Sequence, residues 1–185
     1  MIIISGPSTV GKNPLIYKAC ELYNLEYIIP YTSRIKRHEE IDTKDYYFIN
    51  KEEFQRKIQC NEINEWDYCL ENYYGYELNF PYKNNQITHG LSRMALRIKN
   101  KYPNNVTTVF LMPDNKDRVF NNLKNIYSGK SLFLRETLVE EELCHSVMFD
   151  LVLKCSFPVF DLLKEQELRQ LFIDRGISYK ENAKI

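Results

Sequence analysis

The octet Gly6-Pro7-Ser8-Thr9-Val10-Gly11-Lys12-Asn13 carries the reading of this chain. It has the form glycine, four residues, glycine, lysine, with Asn13 where a serine or threonine usually follows. The run Met1-Ile2-Ile3-Ile4-Ser5 before it is apolar and β-branched, and predicts a buried strand that stops at Gly6-Pro7. Over 14–23 the apolar residues Leu15, Ile16, Ala19, Cys20 and Leu22 recur at helical spacing. Pro14 is tolerated there because the first turn of a helix has no internal N–H bond to lose. A strand, a glycine-bounded loop and a helix make a phosphate cradle. Glycines let backbone N–H groups turn inward, the helix N-terminus adds partial positive charge, and Lys12 reaches the β- and γ-phosphates. As a plain strand-to-helix turn the octet would leave Lys12 a solvated charge; the strand before it and the amphipathic helix after it favour the cradle. By itself the loop specifies nucleotide handling and nothing narrower.

Working outward, short strands are expected over 27–29 and 45–49. Asn50 followed by Glu53 predicts the N-terminal cap of a helix over 51–60. Alternation predicts a strand over 63–68, a turn at Glu71-Asn72 and a returning strand over 73–76. A helix is expected over 91–101 and the strongest strand over 106–112. A helix over 114–124 follows, then a polar stretch through Ser131. The last elements are a helix over 135–147, a strand over 149–153 and a helix over 159–173, with Gly176 helping to end it. Strands and helices alternate at both ends, which predicts an α/β fold with a parallel core. The segment 35–82 breaks that alternation and reads as an inserted, mostly antiparallel subdomain.

Composition bounds the function. The 185 residues suit one domain, which buries enough surface to fold without a metal or a disulfide. Lys+Arg and Asp+Glu are both 25, so the net charge is zero and a grip on nucleic acid through the overall field is disfavoured. A local basic site for a small anion remains open. Cys20, Cys60, Cys69, Cys144 and Cys155 are odd in number and have no CxxC spacing, which argues against a disulfide framework or a zinc site and for a reduced, cytoplasmic setting. His38, His89 and His145 are scattered and read as surface or packing residues. No signal peptide or membrane-spanning run is expected.

Further motifs narrow the class. Ile4-Ser5-Gly6-Pro7-Ser8 with Val10-Gly11-Lys12 resembles the opening of guanylate kinases. So do Thr32-Ser33-Arg34 followed by Lys36-Arg37, Glu40, and Lys44-Asp45-Tyr46-Tyr47-Phe48. Glu52-Glu53-Phe54, Asn64-Glu65-Trp66 and Asn72-Tyr73-Tyr74-Gly75 continue the series in the family's order. Downstream the likeness thins to Phe110-Leu111-Met112-Pro113, Arg135, and Phe149-Asp150-Leu151-Val152.

The resemblance implies a P-loop kinase fold: a three-layer core with a parallel sheet (about 1–34 and 83–185), a monophosphate-binding insertion (about 35–82) and a helical lid (about 118–135). It implies transfer of the γ-phosphoryl of ATP to GMP or dGMP with Mg2+, in a cytoplasmic monomer or homodimer. Gly6, Pro7, Ser8, Thr9, Val10, Gly11, Lys12 and Asn13 would bind ATP. Arg34, Arg37, Tyr46 and Tyr74 would hold the GMP phosphate, and Glu65 would accept hydrogen bonds from the guanine edge. Lys12 and Arg135 would be catalytic, and Asn13 is the one candidate metal ligand. Arg118, Lys124 and Lys130 fall in the expected lid. The chemistry agrees: guanidinium forks suit a phosphate dianion, and a carboxylate matches the N1–H and exocyclic amine of guanine.

Departures from the family pattern concentrate on metal and base contacts. Asn13 replaces a hydroxyl residue, Pro30 stands at a usual serine, and Tyr76 stands at a usual small hydroxyl residue. The Asp-x-Asp strand has no match; only Gln86-Ile87-Thr88-His89-Gly90 stands in that region. Lys154-Cys155-Ser156 replaces the usual Val-Asn-Asp beside the adenine. Two readings follow: a nucleoside-monophosphate kinase with weakened activity, or a catalytically weak module that binds a nucleotide or a phosphorylated peptide. Retention of Gly6, Gly11 and Lys12 favours the kinase.

Overall fold

β1 (Ile2–Ser5) is buried along its whole length because a parallel strand lies on each side of it. Those neighbours are β7 (Gln86–His89) and β8 (Thr107–Pro113). With β2 (Glu26–Tyr27) and β9 (Leu151–Cys155) they form a five-stranded, all-parallel sheet in the order β2-β7-β1-β8-β9. A central parallel strand must be apolar on both faces, and the isoleucine run meets that demand. The computed structural model describes residues 1–79, 81–156 and 159–180. They fall into two compact units, Met1–Tyr27 with Lys83–Ile185, and Ile28–Tyr82.

In the first unit, Ile2, Ile4, Val109 and Leu111 face α1 (Lys12–Leu22). Leu15, Ile16, Ala19 and Leu22 of that helix complete one core with Val159, Leu162, Leu163, Leu168 and Phe172. Ile3 and Phe110 alternate to the other face, where α3 (Ser92–Lys101) packs on β1 and β8. α4 (Lys116–Lys124) and α5 (Gly129–His145) share a smaller cluster of Val119, Leu123 and Val139. Among the described residues no helix is long and apolar enough to cross a membrane.

The second unit holds β3 (Tyr31–Thr32), β4 (Tyr47–Phe48), α2 (Lys51–Gln59), β5 (Glu65–Cys69) and β6 (Asn72–Tyr76). Its sheet runs β4-β3-β6-β5, antiparallel except between β3 and β4. The Asn50 side chain accepts from the Glu53 N–H at 2.7 Å, so the expected cap starts α2. Phe54 is the buried residue of α2 and stacks on Tyr73 with ring centroids 5.2 Å apart.

Several elements differ from the sequence expectation. β3 and β7 are too short, at two and four residues, for periodicity to mark them, and both pair with neighbouring strands. The polar stretch expected through Ser131 is helical from Gly129, because Leu132 packs against the Val119–Leu123–Val139 cluster. The helix expected to reach residue 147 ends at His145 and tightens into a 3-10 turn, Ser146–Met148. The helix expected over 159–173 is a 3-10 segment, Val159–Lys164, then α6 (Gln166–Asp174). Extended backbone at Glu165 separates them, and residues on both sides bury into the same core.

Gly75 lies at a close approach of β5 and β6. A Cβ there would lie 2.7 Å from Ile63 Cγ2 and 2.9 Å from both the Glu65 carbonyl oxygen and Trp66 Cβ. Gly75→Ala should destabilise the protein by about 1–3 kcal/mol, read as a lower urea midpoint. An unchanged midpoint would show that β5 and β6 separate without cost.

Candidate active site

The loop after β1 turns at Gly6, whose φ is +142°. A Cβ at Gly6 would lie 2.7 Å from the Leu111 carbonyl oxygen, so glycine is required on two counts. The Lys12 Nζ donates to the carbonyls of Gly6 at 2.6 Å and Pro7 at 2.9 Å. The ammonium thus folds over its own loop, where an incoming phosphate would meet it. Thr9 carries strain the sequence reading missed. It has φ +69°, a conformation costly for a β-branched residue, and its Oγ1 is buried with no hydrogen-bond partner among the described residues.

β7 brings no carboxylate to this end of the sheet. His89, at its C-terminal end and in register with Ile4, is buried beside Tyr27. α5 supplies an acid instead. Glu142 is 4% exposed and accepts from the Ser92 N–H at 3.4 Å. Burial pushes its carboxyl up to about 7, against the opposing pull of the Lys12 charge and the Ser92 N–H. Nothing in the chain pattern marked it, because a glutamate in a charged helix reads as solvated.

Arg135 lies in the second turn of α5 and is 9% exposed. Its guanidinium carbon sits 4.2 Å from the centroid of the Tyr127 ring. Among the described residues it makes no hydrogen bond or ion pair, so its five donors remain available. Arg118 is committed differently, to Asp114 at 2.8 Å and the Cys155 carbonyl at 3.4 Å. Lys124 and Lys130 are exposed.

In the second unit, Arg34, Arg37, Tyr46 and Tyr74 come together around Glu40. Arg34 binds Glu40 with a two-pronged contact at 2.7 and 2.9 Å and also donates to the Ile35 carbonyl. Burial opposes the Arg34 charge, but Glu40 and the neighbouring tyrosines hold its pKa above the ordinary arginine value. Glu40 also accepts from the Arg37 N–H at 2.8 Å. Burial raises the Tyr46 pKa, and Tyr74 adds to that; Arg34 and Arg37 oppose it. The Tyr46 ring stands edge-on to Tyr74 at 6.4 Å.

Cross-strand register orders the rest. Glu65 pairs with Tyr76 and Asp67 with Tyr74, so these four side chains share one face of the sheet. Trp66, Tyr68 and Tyr73 share the other, which α2 covers through Phe54. Glu65 is 6% exposed and Tyr76 wholly buried. Asp67 beside Tyr74 was not singled out from the sequence, although the alternation of β5 places it there.

Among the described residues no cluster of three acidic, histidine or cysteine side chains could hold a metal ion. Asn13, in the first turn of α1, offers one amide oxygen. That donor set fits magnesium that arrives on nucleotide phosphates, with water and phosphate oxygens as its other ligands, and does not fit a resident ion.

A lysine-bearing glycine loop on the central strand of a parallel sheet defines a P-loop nucleotide-phosphate-binding protein. A guanylate kinase family model matches residues 1–156, and the chain belongs to the guanylate kinase family. The guanylate kinase of Mycoplasma pneumoniae is 30% identical over 152 residues, covering 77% of this chain and 62% of that protein. That of Blochmanniella pennsylvanica is 30% identical, covering 83% and 77%. The chain thus spans under two thirds of the first relative's length and over two thirds of the second's. The crystal structure of the Anaplasma phagocytophilum guanylate kinase has the same fold, with a TM-score of 0.73 at 20% identity over 95% of this chain and 85% of that one.

Two outcomes follow from the loop and its surroundings. Thr9→Gly removes both the strained backbone and the buried lone hydroxyl, and should stabilise the ligand-free protein by about 1 kcal/mol; a lower melting temperature would contradict this. Glu142 holds its proton in the folded chain up to about pH 7, whereas its ordinary value is 4.5. Folding takes up a proton between those values, so stability falls as pH rises from about 4.5 to 7, by on the order of 3 kcal/mol. Glu142→Gln keeps an acceptor for Ser92 and cannot ionise. It should match wild type near pH 4.5 and exceed it at pH 8; parallel stability curves would place the ionisation elsewhere.

Proposed function

We propose that the chain transfers the γ-phosphoryl group of ATP to GMP or dGMP, giving ADP and the nucleoside diphosphate. The strongest support is that one chain carries two phosphate-binding constellations of different kinds: the Lys12 loop, and the Arg34–Arg37–Tyr46–Tyr74 group beside the buried carboxylate of Glu65. A phosphotransferase needs a donor cradle and an acceptor cradle; a phosphate-binding module needs one.

In this reading the loop amides and Lys12 hold the ATP phosphates, Lys12 exchanging the Gly6 and Pro7 carbonyls for phosphate oxygens. Arg135 aims its unspent donors at the transferring group, where phosphoryl transfer calls for positioning and positive charge rather than covalent help. Arg37 and the tyrosine hydroxyls hold the acceptor phosphate, while Arg34, largely committed to Glu40, fixes the turn that presents them. Glu65 accepts from the guanine N1–H and exocyclic amine, and Asp67 adds a second acceptor on the same face. An oxygen of the acceptor phosphate bonds to the γ-phosphorus as the bond to the ADP oxygen breaks. Bound magnesium would offset charge on the β- and γ-phosphates, with Asn13 its one protein ligand. The Asn13 substitution and the acid-free β7 support a low turnover that needs high magnesium. The five free cysteines support a reduced, cytoplasmic setting.

An ADP-release assay with ATP, magnesium and a panel of nucleoside monophosphates tests the reading. GMP or dGMP should be turned over in preference to the others; tight GMP binding without turnover would return the phosphate-binding module. By calorimetry, Arg37→Ala should weaken GMP binding by about 1.5–3 kcal/mol and leave ATP binding nearly unchanged. Equal losses for both ligands would remove Arg37 from the acceptor site.

A further inference from the structure

Among the described residues two arginines are buried, and they are held by opposite means. Arg34 is fixed by a carboxylate, and three of its contacts go to Glu40 and the Ile35 carbonyl. Its charge is thereby offset and most of its donors are used. Arg135 is equally buried, yet no carboxylate pairs with it among the described residues. Its hold is the face of Tyr127, 4.2 Å from the guanidinium carbon. A ring face attracts the cation through its quadrupole and fixes the plane of the guanidinium. It takes none of the five N–H donors, which radiate from the edge of that plane.

Tyr127 is itself well anchored. Its N–H donates to the Leu123 carbonyl at 2.8 Å, closing the end of α4, and its ring packs on the Val119–Leu123–Val139 cluster. The platform is therefore built into the α4–α5 pair and does not depend on a bound ligand. Among the described residues no acid forms an ion pair with Arg135; Glu140, five residues further along α5, is paired with Lys116.

We propose that Tyr127 is a positioning residue for phosphoryl transfer: its ring holds Arg135 in a fixed plane with full charge and unspent donors, ready for the oxygens of the transferring phosphoryl group. The inference rests on the phosphotransferase reading above and on the assignment of Arg135 to the reacting group. It predicts that the ring, and not the hydroxyl, matters. It also predicts that the effect appears in kcat rather than in the KM for GMP, because Arg135 belongs to the transfer step.

The test compares steady-state turnover of ATP and GMP by wild type, Tyr127→Phe, Tyr127→Leu, Arg135→Ala and the double variant Tyr127→Leu/Arg135→Ala. Tyr127→Phe should keep kcat within about twofold of wild type, and Tyr127→Leu should lower it roughly tenfold with KM for GMP unchanged. The double variant should be no slower than Arg135→Ala alone, since the ring acts only through that arginine. If Tyr127→Leu does not fold, phenylalanine and its mono-, di- and trifluorinated analogues at residue 127 keep the shape while draining the ring quadrupole. In that series kcat should fall stepwise with fluorination. A flat fluorination series, a fully active Tyr127→Leu, or additive losses in the double variant would overturn the role of Tyr127 while leaving Arg135 in place. A fully active Arg135→Ala, or no turnover in wild type, would instead remove the reading on which the inference stands.

Discussion

The site depends first on a backbone turn. β1 lies between two parallel strands and cannot shift, and the chain leaving it must turn sharply beside the Leu111 carbonyl oxygen on β8. Only glycine fits at position 6, because a side chain would collide there and the φ value is closed to L-residues. The turn brings the Gly6 and Pro7 carbonyls under the Lys12 ammonium and starts α1 at the next glycine. Thr9 is then carried into the left-handed region with its hydroxyl alone. Strain of this kind survives where the surrounding structure over-determines the backbone, and here a rigid sheet and a packed helix do so.

Charge is handled differently in the two units, each in keeping with the task proposed for it. In Ile28–Tyr82 a half-buried glutamate, Glu40, organises Arg34 and the Arg37 backbone before any ligand arrives. Such a pair costs desolvation and is worth keeping mainly for the geometry it imposes. In the parallel unit Lys12 donates to the carbonyls of its own loop, and Arg135 lies against a ring with no carboxylate paired to it among the described residues. Glu142, a buried acid of the same unit, is pushed toward its neutral form by burial. A positive, desolvated setting favours the charge that builds on a transferring phosphoryl group. In the proposed reaction the same setting would offer magnesium few protein ligands.

Local chemistry was enough for the elements whose causes lie within a few residues. The isoleucine strand, the glycine loop, the amphipathic α1, the Asn50 cap and the alternating β5–β6 hairpin were all legible, because steric rules and hydrophobic periodicity act at short range. The roles of Lys12, Arg37, Tyr46, Glu65 and Tyr74 came from the loop pattern and the family resemblance, and they stand as proposals. Tertiary structure decided what depends on neighbours distant in the chain. β3 and β7, two and four residues long, are too short for periodicity to mark them, and both pair with neighbouring strands. Burial of Glu142 requires α5 to return to the start of α3, and burial is what raises its pKa. That Arg34 is spent on Glu40 while Arg135 keeps its donors against Tyr127 cannot be read from two arginine letters. It follows from which groups the packed chain brings within a few ångströms of each, and electrostatic and cation–π interactions are strong only at that range.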